Sequence, residues 1–415
     1  MEYEKTSMLN FLKVKGKDIF ETAKEFYNFT LEVKEHEHYF YRRISYNGSA
    51  PRMLVLDIYT NEKKEMLNFA GNDYLNLTRH PRTIKAGREA LEKYGTGAGS
   101  VPLLGGTFDI HVELEKKIAK FKGCEDSIIY TSGFGSNLGS LLALLKKNDL
   151  ALLDQFVHAS IVDGCKSTNI KYFLHSDMNS LETILKKSKG NYETILVGVD
   201  GVYSMDGDIA PLPEILELTK KYGAYLFVDD AHATGVIGKN GKGTAEYHNL
   251  EGKIDIVAGT FSKGLGVVGG FFGSNKELIE YLHFFSRAYM FSTAMTPQAA
   301  GSLLEGLDVI IDEPERRNKL WENIRYLGEK LRNLGFNLGF SETAIFPIII
   351  GDHLIVKEIV SYLHKNNIYV NLVLFPAVPR ALSRIRISIM QGHSIDDLDQ
   401  LIFHLETIGR KLGVI

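Results

Sequence analysis

The chain has 415 residues, 44% hydrophobic and 24% charged, and its 48 Lys and Arg nearly balance its 51 Asp and Glu. These are the proportions of an ordinary globular protein long enough for more than one domain, and a formal charge of -3 gives no electrostatic footprint for nucleic acid or a membrane surface. Cys124 and Cys165 make no disulfide scaffold, no apolar run approaches a membrane span, and the opening MEYEKTSMLNFLKVKGKD lacks the apolar stretch of a secretion signal. A reducing, cytoplasmic location is expected.

Residues 1–50 are polar, mixed in charge and rich in aromatics, with two short helices expected between Phe20 and Phe40. The cluster HEHYFYRR, His36 to Arg43, has no metal-ligand spacing and is expected to cover a partner surface or a site entrance. Met53–Asp57 and Glu65–Phe69 read as two strands about the charged turn Asn61–Lys64. The run GTGAGSVPLLGG, Gly95 to Gly106, is no P-loop because no GK[ST] follows; a close-packed loop is expected, with Thr107 capping a helix whose Ile110, Leu114, Ile118 and Phe121 share a face.

From there apolar strands alternate with amphipathic helices. The strands are expected at 127–130, 150–153, 170–174, 194–199, 225–228, 254–258 and 267–272, with helices such as 181–188 and 214–222 between them. Near-continuous apolar strands separated by helices indicate a mostly parallel sheet covered on both faces. No GxGxxG follows the first strand, which disfavours a dinucleotide fold. Beyond Phe272 the pattern changes: a long helical region at 297–334, a β-type run at 345–350, a helix at 355–364, strands at 370–374 and 385–389, and a closing helix at 395–409.

The stretch GTFSKGLGVVGGFFG, Gly259 to Gly273, sets one lysine, Lys263, in a turn crowded by Gly264, Gly266, Gly269 and Gly270. Glycine lets backbone turn sharply or approach a ligand closely, so the amine can be held inside a cleft. Four further motifs precede it: YTSGFGSNLG (130–139), FVHASIVDG (156–164), DGVYSMDGD (200–208) and FVDDAHATG (227–235). In this order they closely resemble the fold-type I pyridoxal-phosphate enzymes, and within them the α-oxoamine synthases. The likeness runs from about Asn68 to Met390.

The resemblance implies an α/β fold-type I transferase: a mostly parallel seven-stranded sheet in a three-layer sandwich, plus a smaller α+β domain. The expected division is an N-terminal segment over 1–67, a large cofactor-binding domain over 68–300 and a small domain over 301–415. Pyridoxal 5'-phosphate is the implied cofactor, with Lys263 its Schiff-base lysine. Asp229, the first aspartate of VDDAH, would pair with the pyridine nitrogen, while Asp230 should face elsewhere and be structural. His158 would stack on the ring and His232 reach the ring oxygen or the substrate, with Ser204 near the same oxygen. Ser132, Gly133 and Phe134 open a helix suited to phosphate, and Thr260 and Ser262 add hydroxyls.

FSTAMTP, 291–297, resembles a segment that reaches into the neighbouring subunit, so Ser292 and Thr293 would contact the neighbour's phosphate in a homodimer with composite sites. Asn72 and Tyr74 lie in AGNDYLNLTRHP, which resembles the site entrance. Arg386, in SRIRISIM, would grip the amino-acid carboxylate, with Arg384 an alternative on the same side of the strand. Many members carry an arginine where this chain has Pro102.

The implied reaction is condensation of an amino acid with an acyl thioester, carried by coenzyme A or an acyl-carrier protein, with loss of carbon dioxide and free thiol. The motif wording looks most like the soluble bacterial serine palmitoyltransferases, which favours serine, a long acyl chain and a place in sphingolipid metabolism. Glycine C-acetyltransferase and 8-amino-7-oxononanoate synthase share most of these residues, and an aminotransferase or lyase would use the same lysine and aspartate. A metal hydrolase is disfavoured because DDAH lacks an accompanying ligand set.

Overall fold

The computed structural model describes residues 6–12 and 16–415, so part of the opening stretch read for a secretion signal lies outside the described residues. Two compact units emerge: one contains the described residues up to Gly71 together with Trp321–Ile415, the other Asn72–Leu320. The boundary expected at 300/301 thus lies instead at Leu320/Trp321, within the helix Pro314–Leu334.

In the first unit, β1 (Arg52–Leu56) and β2 (Lys63–Asn68) form the expected antiparallel hairpin. One helix, Ile19–Glu35, stands where two short ones were expected. The stretch has no Gly or Pro to break it, and its start is fixed by a capping box in which Asp18 accepts from the Phe20 and Glu21 amides and Glu21 accepts from the Asp18 amide.

The second unit carries β3 (Asp126–Tyr130), β4 (Leu150–Asp154), β5 (Asn169–Phe173), β6 (Ile195–Asp200), β7 (Tyr225–Asp229), β8 (Ile256–Thr260) and β9 (Gly270–Ser274). They form one seven-stranded sheet in the order β3-β9-β8-β7-β6-β4-β5. All neighbours are parallel except β9, which runs antiparallel to both β8 and β3. Alternation along the strands builds two cores. Ala151, Leu153, Leu196 and Phe227 join the core on one face, while Leu150, Leu152, Val197, Leu226 and Val228 join that on the other. Burial on both faces is why these strands read as continuous apolar runs, and it makes the unit a three-layer sandwich.

The strand expected over 267–272 begins only at Gly270. Val267 to Gly269 belong to the turn: the Phe261 amide donates to Gly269 O, the Val267 amide to Phe261 O, and Gly269 has φ 137°. Thr107 does not cap the following helix, Asp109–Lys122, because its hydroxyl donates to Pro102 O. His111 does so instead, its Nδ1 accepting from the Phe108 amide while Nε2–H donates to Met295 O. The glycine-rich loop contains a wide helical turn, Pro102–Gly106, in which proline occupies a first-turn position that needs no amide proton. The helical region 297–334 is two helices, Pro297–Asp312 and Pro314–Leu334, because Pro314 cannot continue the first.

The remaining strands belong to the first unit: β10 (Ile345–Gly351), β11 (Ile368–Tyr369), β12 (Asn371–Val373) and β13 (Ser383–Ser388). The strand expected over 370–374 is shorter, because the chain changes sheets at Val370; β11 pairs with β2, and β12 with β13. Among the described residues no helix is long and apolar enough to cross a membrane, and both cysteines are free thiols.

Two buried charge clusters fix the loops of the second unit. Asp230 turns away from Asp229, as its position one residue on requires, and accepts from Lys122 Nζ at 2.7 Å and from the Thr244 amide at 3.1 Å. Both side chains of the Lys122–Asp230 pair are 1% exposed. His175 lies between two carboxylates, Nδ1 at 3.0 Å from Asp154 and Nε2 at 2.9 Å from Asp208, and so links the ends of the loops after β4 and β6. Burial disfavours its cation, but the two carboxylates outweigh it and raise its pKa to about 10.

Replacing Lys122 with Met would leave Asp230 buried and unpaired; a loss of about 3 kcal/mol in denaturant unfolding is expected, with a smaller loss when Asp230→Asn is added. For His175→Gln the deficit should depend on pH. The raised folded-state pKa stabilises fully below about 6.5, and that contribution fades as pH rises toward 10. Unfolding curves of wild type and variant should therefore differ most near pH 6 and draw together by pH 10.

Candidate active site

The carboxyl ends of β4, β6 and β7 and the turn after β8 open onto one cavity of about 240 Å³. It is lined by Ser132, Gly133, Phe134, His158, Ser204, Asp229, His232, Thr260, Ser262 and Lys263 among the expected residues, and by Asn137, Ser160 and Asp200 beyond them. Such crevices are where open α/β sheets hold their ligands.

Asp229 ends β7 and is 4% exposed. Asn137 Nδ2 donates to its Oδ2 at 2.6 Å and the Ala231 amide to Oδ1 at 2.9 Å, so the carboxylate is fixed by two donors. Asn137 is also held by Ser160 Oγ at 2.9 Å. Beside Asp229 in register, Asp200 ends β6 and accepts from the His158 amide at 3.2 Å. Its own burial, reinforced by the neighbouring Asp229, pushes the Asp200 carboxyl well above the usual range.

His158 caps the short helix Ala159–Gly164, its Nδ1 lying 2.7 Å from Ser160 Oγ and accepting from the Ser160 amide at 3.3 Å. An accepting Nδ1 places the proton on Nε2. Burial, with Lys263 acting in the same sense and Asp229 against it, lowers the His158 pKa, which favours a neutral ring. Phe134 meets that ring edge-on, with centroids 6.4 Å apart. His232 Nδ1 lies 2.7 Å from the hydroxyl of the buried Tyr74, which in turn lies 3.4 Å from Asn72 Oδ1. Tyr74 and Asn72 therefore reach the site through His232, without lining the cavity.

The helix Gly133–Leu144 points its amino end at the cavity, capped by Ser132 Oγ, which accepts from the Gly135 amide at 3.0 Å. The first amides of such a helix lack partners within it, and their dipoles favour an anion. A Cβ on Gly133 would lie 2.6 Å from Thr260 Cβ, so only glycine lets this helix end meet the turn after β8. There the Thr260 and Ser262 hydroxyls lie 2.8 Å apart. Gly266, with φ 68°, closes the turn by donating to Lys263 O at 3.0 Å. An amine, a two-donor carboxylate, a neutral imidazole and a hydroxyl-flanked helix end thus converge. That donor set fits pyridoxal phosphate, whose aldehyde, ring nitrogen and phosphate need these groups.

Other expected residues lie elsewhere. Ser292 and Thr293 sit in the segment between the helices Arg287–Met290 and Pro297–Asp312, outside the cavity lining. Arg384 and Arg386 are buried on β13 of the other unit. Arg384 Nε donates to Leu382 O at 2.9 Å, and Arg386 Nη1 to Ser388 Oγ at 2.8 Å. The unanticipated lining residues carried a readable signal. Asn137 is one helical turn beyond Gly133, and Asp200 ends an apolar strand as Asp229 does.

Residues 64–405 match the profile of the class I and II aminotransferases. The 8-amino-7-oxononanoate synthase of Thermoanaerobacter pseudethanolicus is 41% identical over 90% of this chain and 94% of its own length. The 8-amino-7-oxononanoate synthase 1 of Bacillus subtilis is 42% identical, over 86% and 91%. Among solved structures, the serine palmitoyltransferase of Sphingomonas wittichii superposes with a TM-score of 0.90 at 30% identity, covering 96% of this chain and all of that one. A serine palmitoyltransferase solved with its pyridoxal phosphate gives the same TM-score and coverage at 32% identity. The likeness to the palmitoyltransferases is thus one of structure, while the oxononanoate synthases stand out in sequence. The chain belongs to the class I and II aminotransferase family, and within it to the α-oxoamine synthases, pyridoxal-phosphate-dependent acyltransferases.

Proposed function

We propose that this enzyme condenses alanine with a carboxyl-terminated acyl thioester to give an 8-amino-7-oxononanoate-type aminoketone. The observation that carries this is identity of 41–42% over most of both chains with two enzymes of that name. The carbon count agrees: a seven-carbon acyl group plus the three carbons of alanine, less one lost as carbon dioxide, gives a nine-carbon chain. A serine palmitoyltransferase reading, serine with a long-chain acyl-CoA, is the second, favoured by the TM-score of 0.90 with enzymes of that name.

Bound pyridoxal phosphate supplies an electron sink for the charge that develops at the amino acid's Cα. The chain's own residues do the rest. Lys263 Nζ would hold the aldehyde and, when free of it, would move the proton at the amino acid's Cα. Asp229, fixed by Asn137, keeps a proton on the ring nitrogen. His158 offers a neutral face against the ring, and the Phe134 edge restrains that face. His232, oriented by Tyr74 and through it Asn72, holds the ring-oxygen side with Ser204. The amides of Gly133 and Phe134, with Ser132, Thr260 and Ser262, bind phosphate. Ser292 and Thr293 add to the phosphate site of a neighbouring subunit in a homodimer, and Arg386 grips the substrate carboxylate. The acyl donor is a coenzyme A or carrier-protein thioester.

The purified enzyme, given alanine, glycine or serine with thioesters of graded length and ending, should release free thiol and carbon dioxide. Release should be fastest with alanine and the seven-carbon dicarboxylic monothioester. Preference for serine with a sixteen-carbon chain would select the second reading, and absence of thiol release with every pair would overturn both. Lys263→Ala should lower turnover by about 10³-fold while leaving the thermal midpoint of the apoprotein unchanged. Asn137→Leu should weaken cofactor rebinding about tenfold, measured by titrating the apoprotein, because Asp229 loses its side-chain donor.

A further inference from the structure

We propose that a second cavity, within the unit containing β1 and β2, binds a small carboxylic acid that also carries an O–H or N–H donor. This cavity of about 160 Å³ is lined by Phe40, Arg43, Asp57, Tyr59, Lys64 and His364 among others. Its cations are unequally served. Lys64 pairs with Asp57 at 2.8 Å, and Lys365 with Glu37 at 2.8 Å. Arg43 has no carboxylate partner among the described residues: its guanidinium lies over the Tyr59 ring at 5.6 Å, and its buried Nε makes no hydrogen bond. A desolvated guanidinium N–H of this kind calls for an anionic acceptor, which a carboxylate supplies in matching planar geometry.

His364 sets the second requirement. It is 9% exposed, and its Nε2–H donates to Val370 O at 3.1 Å, so Nδ1 carries a lone pair. That buried Nδ1 has no hydrogen-bond partner among the described residues. Phe40 and Tyr369 pack edge-on against the ring, each 5.3 Å away, and fix its direction. Burial lowers the His364 pKa to about 4, so the ring stays neutral and accepting at neutral pH. A simple carboxylate satisfies Arg43 and leaves Nδ1 unmet. A hydroxy acid or amino acid satisfies both, and the space suits about five or six heavy atoms.

The test is calorimetric titration of the full chain loaded with pyridoxal phosphate, using glycolate, glycine and acetate as probes. Glycolate should bind about tenfold more tightly than acetate. Arg43→Met, which keeps an apolar stem over Tyr59, should abolish the glycolate signal, and His364→Phe should reduce glycolate to the level of acetate. Equal binding of glycolate and acetate by the wild type would overturn the donor requirement without recourse to any variant. Glycolate binding that survives Arg43→Met, or no binding of any probe, would overturn the site. A glycine signal lost in Arg43→Met comes from this cavity; one retained there, with glycolate binding lost, assigns the amino acid to the Lys263 cavity and the hydroxy acid to this one.

Discussion

Buried carboxylates must be met by donors, and much of the second unit is arranged around that demand. Three adjacent parallel strands, β4, β6 and β7, end in Asp154, Asp200 and Asp229, all under 5% exposed. An aspartate follows Asp229 at once, equally buried. Leaving any of them charged and unpaired would cost several kcal/mol. Each is met differently. Asp154 takes His175 and the Phe156 and Ser176 amides, Asp230 takes Lys122 and Thr244, and Asp229 takes Asn137 and the Ala231 amide. Asp200 has the His158 amide, and its proton affinity rises to share the burden.

These solutions place the chemistry. The donors that quiet Asp154 and Asp208 link the chain just before His158 to the loop holding Ser204. Asn137, which steadies Asp229, stands on the helix whose first turn offers amides to an anion. Positioning of the groups proposed to hold the ring and of the helix end proposed to hold the phosphate is therefore one structural problem, solved by side chains from a single helix and three strand ends.

Much of this was legible in the sequence because it follows from short-range rules. Two-sided burial wrote β4, β6 and β7 as apolar runs, and the motifs at their ends drew His158, Ser204, Asp229 and His232 into one cavity with Lys263. What stayed hidden depends on tertiary geometry. The delayed start of β9 follows from a turn closed by Phe261 and Gly269, and the cap at Phe108 comes from an imidazole tied to Met295, distant in sequence. The change of sheets at Val370 cannot be read from an apolar run that suits either pairing. The position of Asn137, one turn beyond Gly133, is readable, but its pairing with Asp229 is not, because that partner lies 92 residues away in sequence.

The antiparallel course of β9 has a consequence for how this fold can vary in length. β8 and β9 are joined directly through the lysine turn, with Thr260 opposite Gly270, Gly259 opposite Phe271 and Ala258 opposite Phe272. A parallel neighbour would return through a helix able to absorb an extra residue. Here a single inserted residue would have to be expelled as a bulge or slip β9 by one position. A slip would exchange the faces of Phe271 and Phe272, both fully buried, and drive side chains into the space that Gly133 and Gly270 keep open. Insertions and deletions should therefore be far rarer between Thr260 and Gly270 than in the exposed loops between helices, which makes the length of this turn a ruler for aligning distant members of the family.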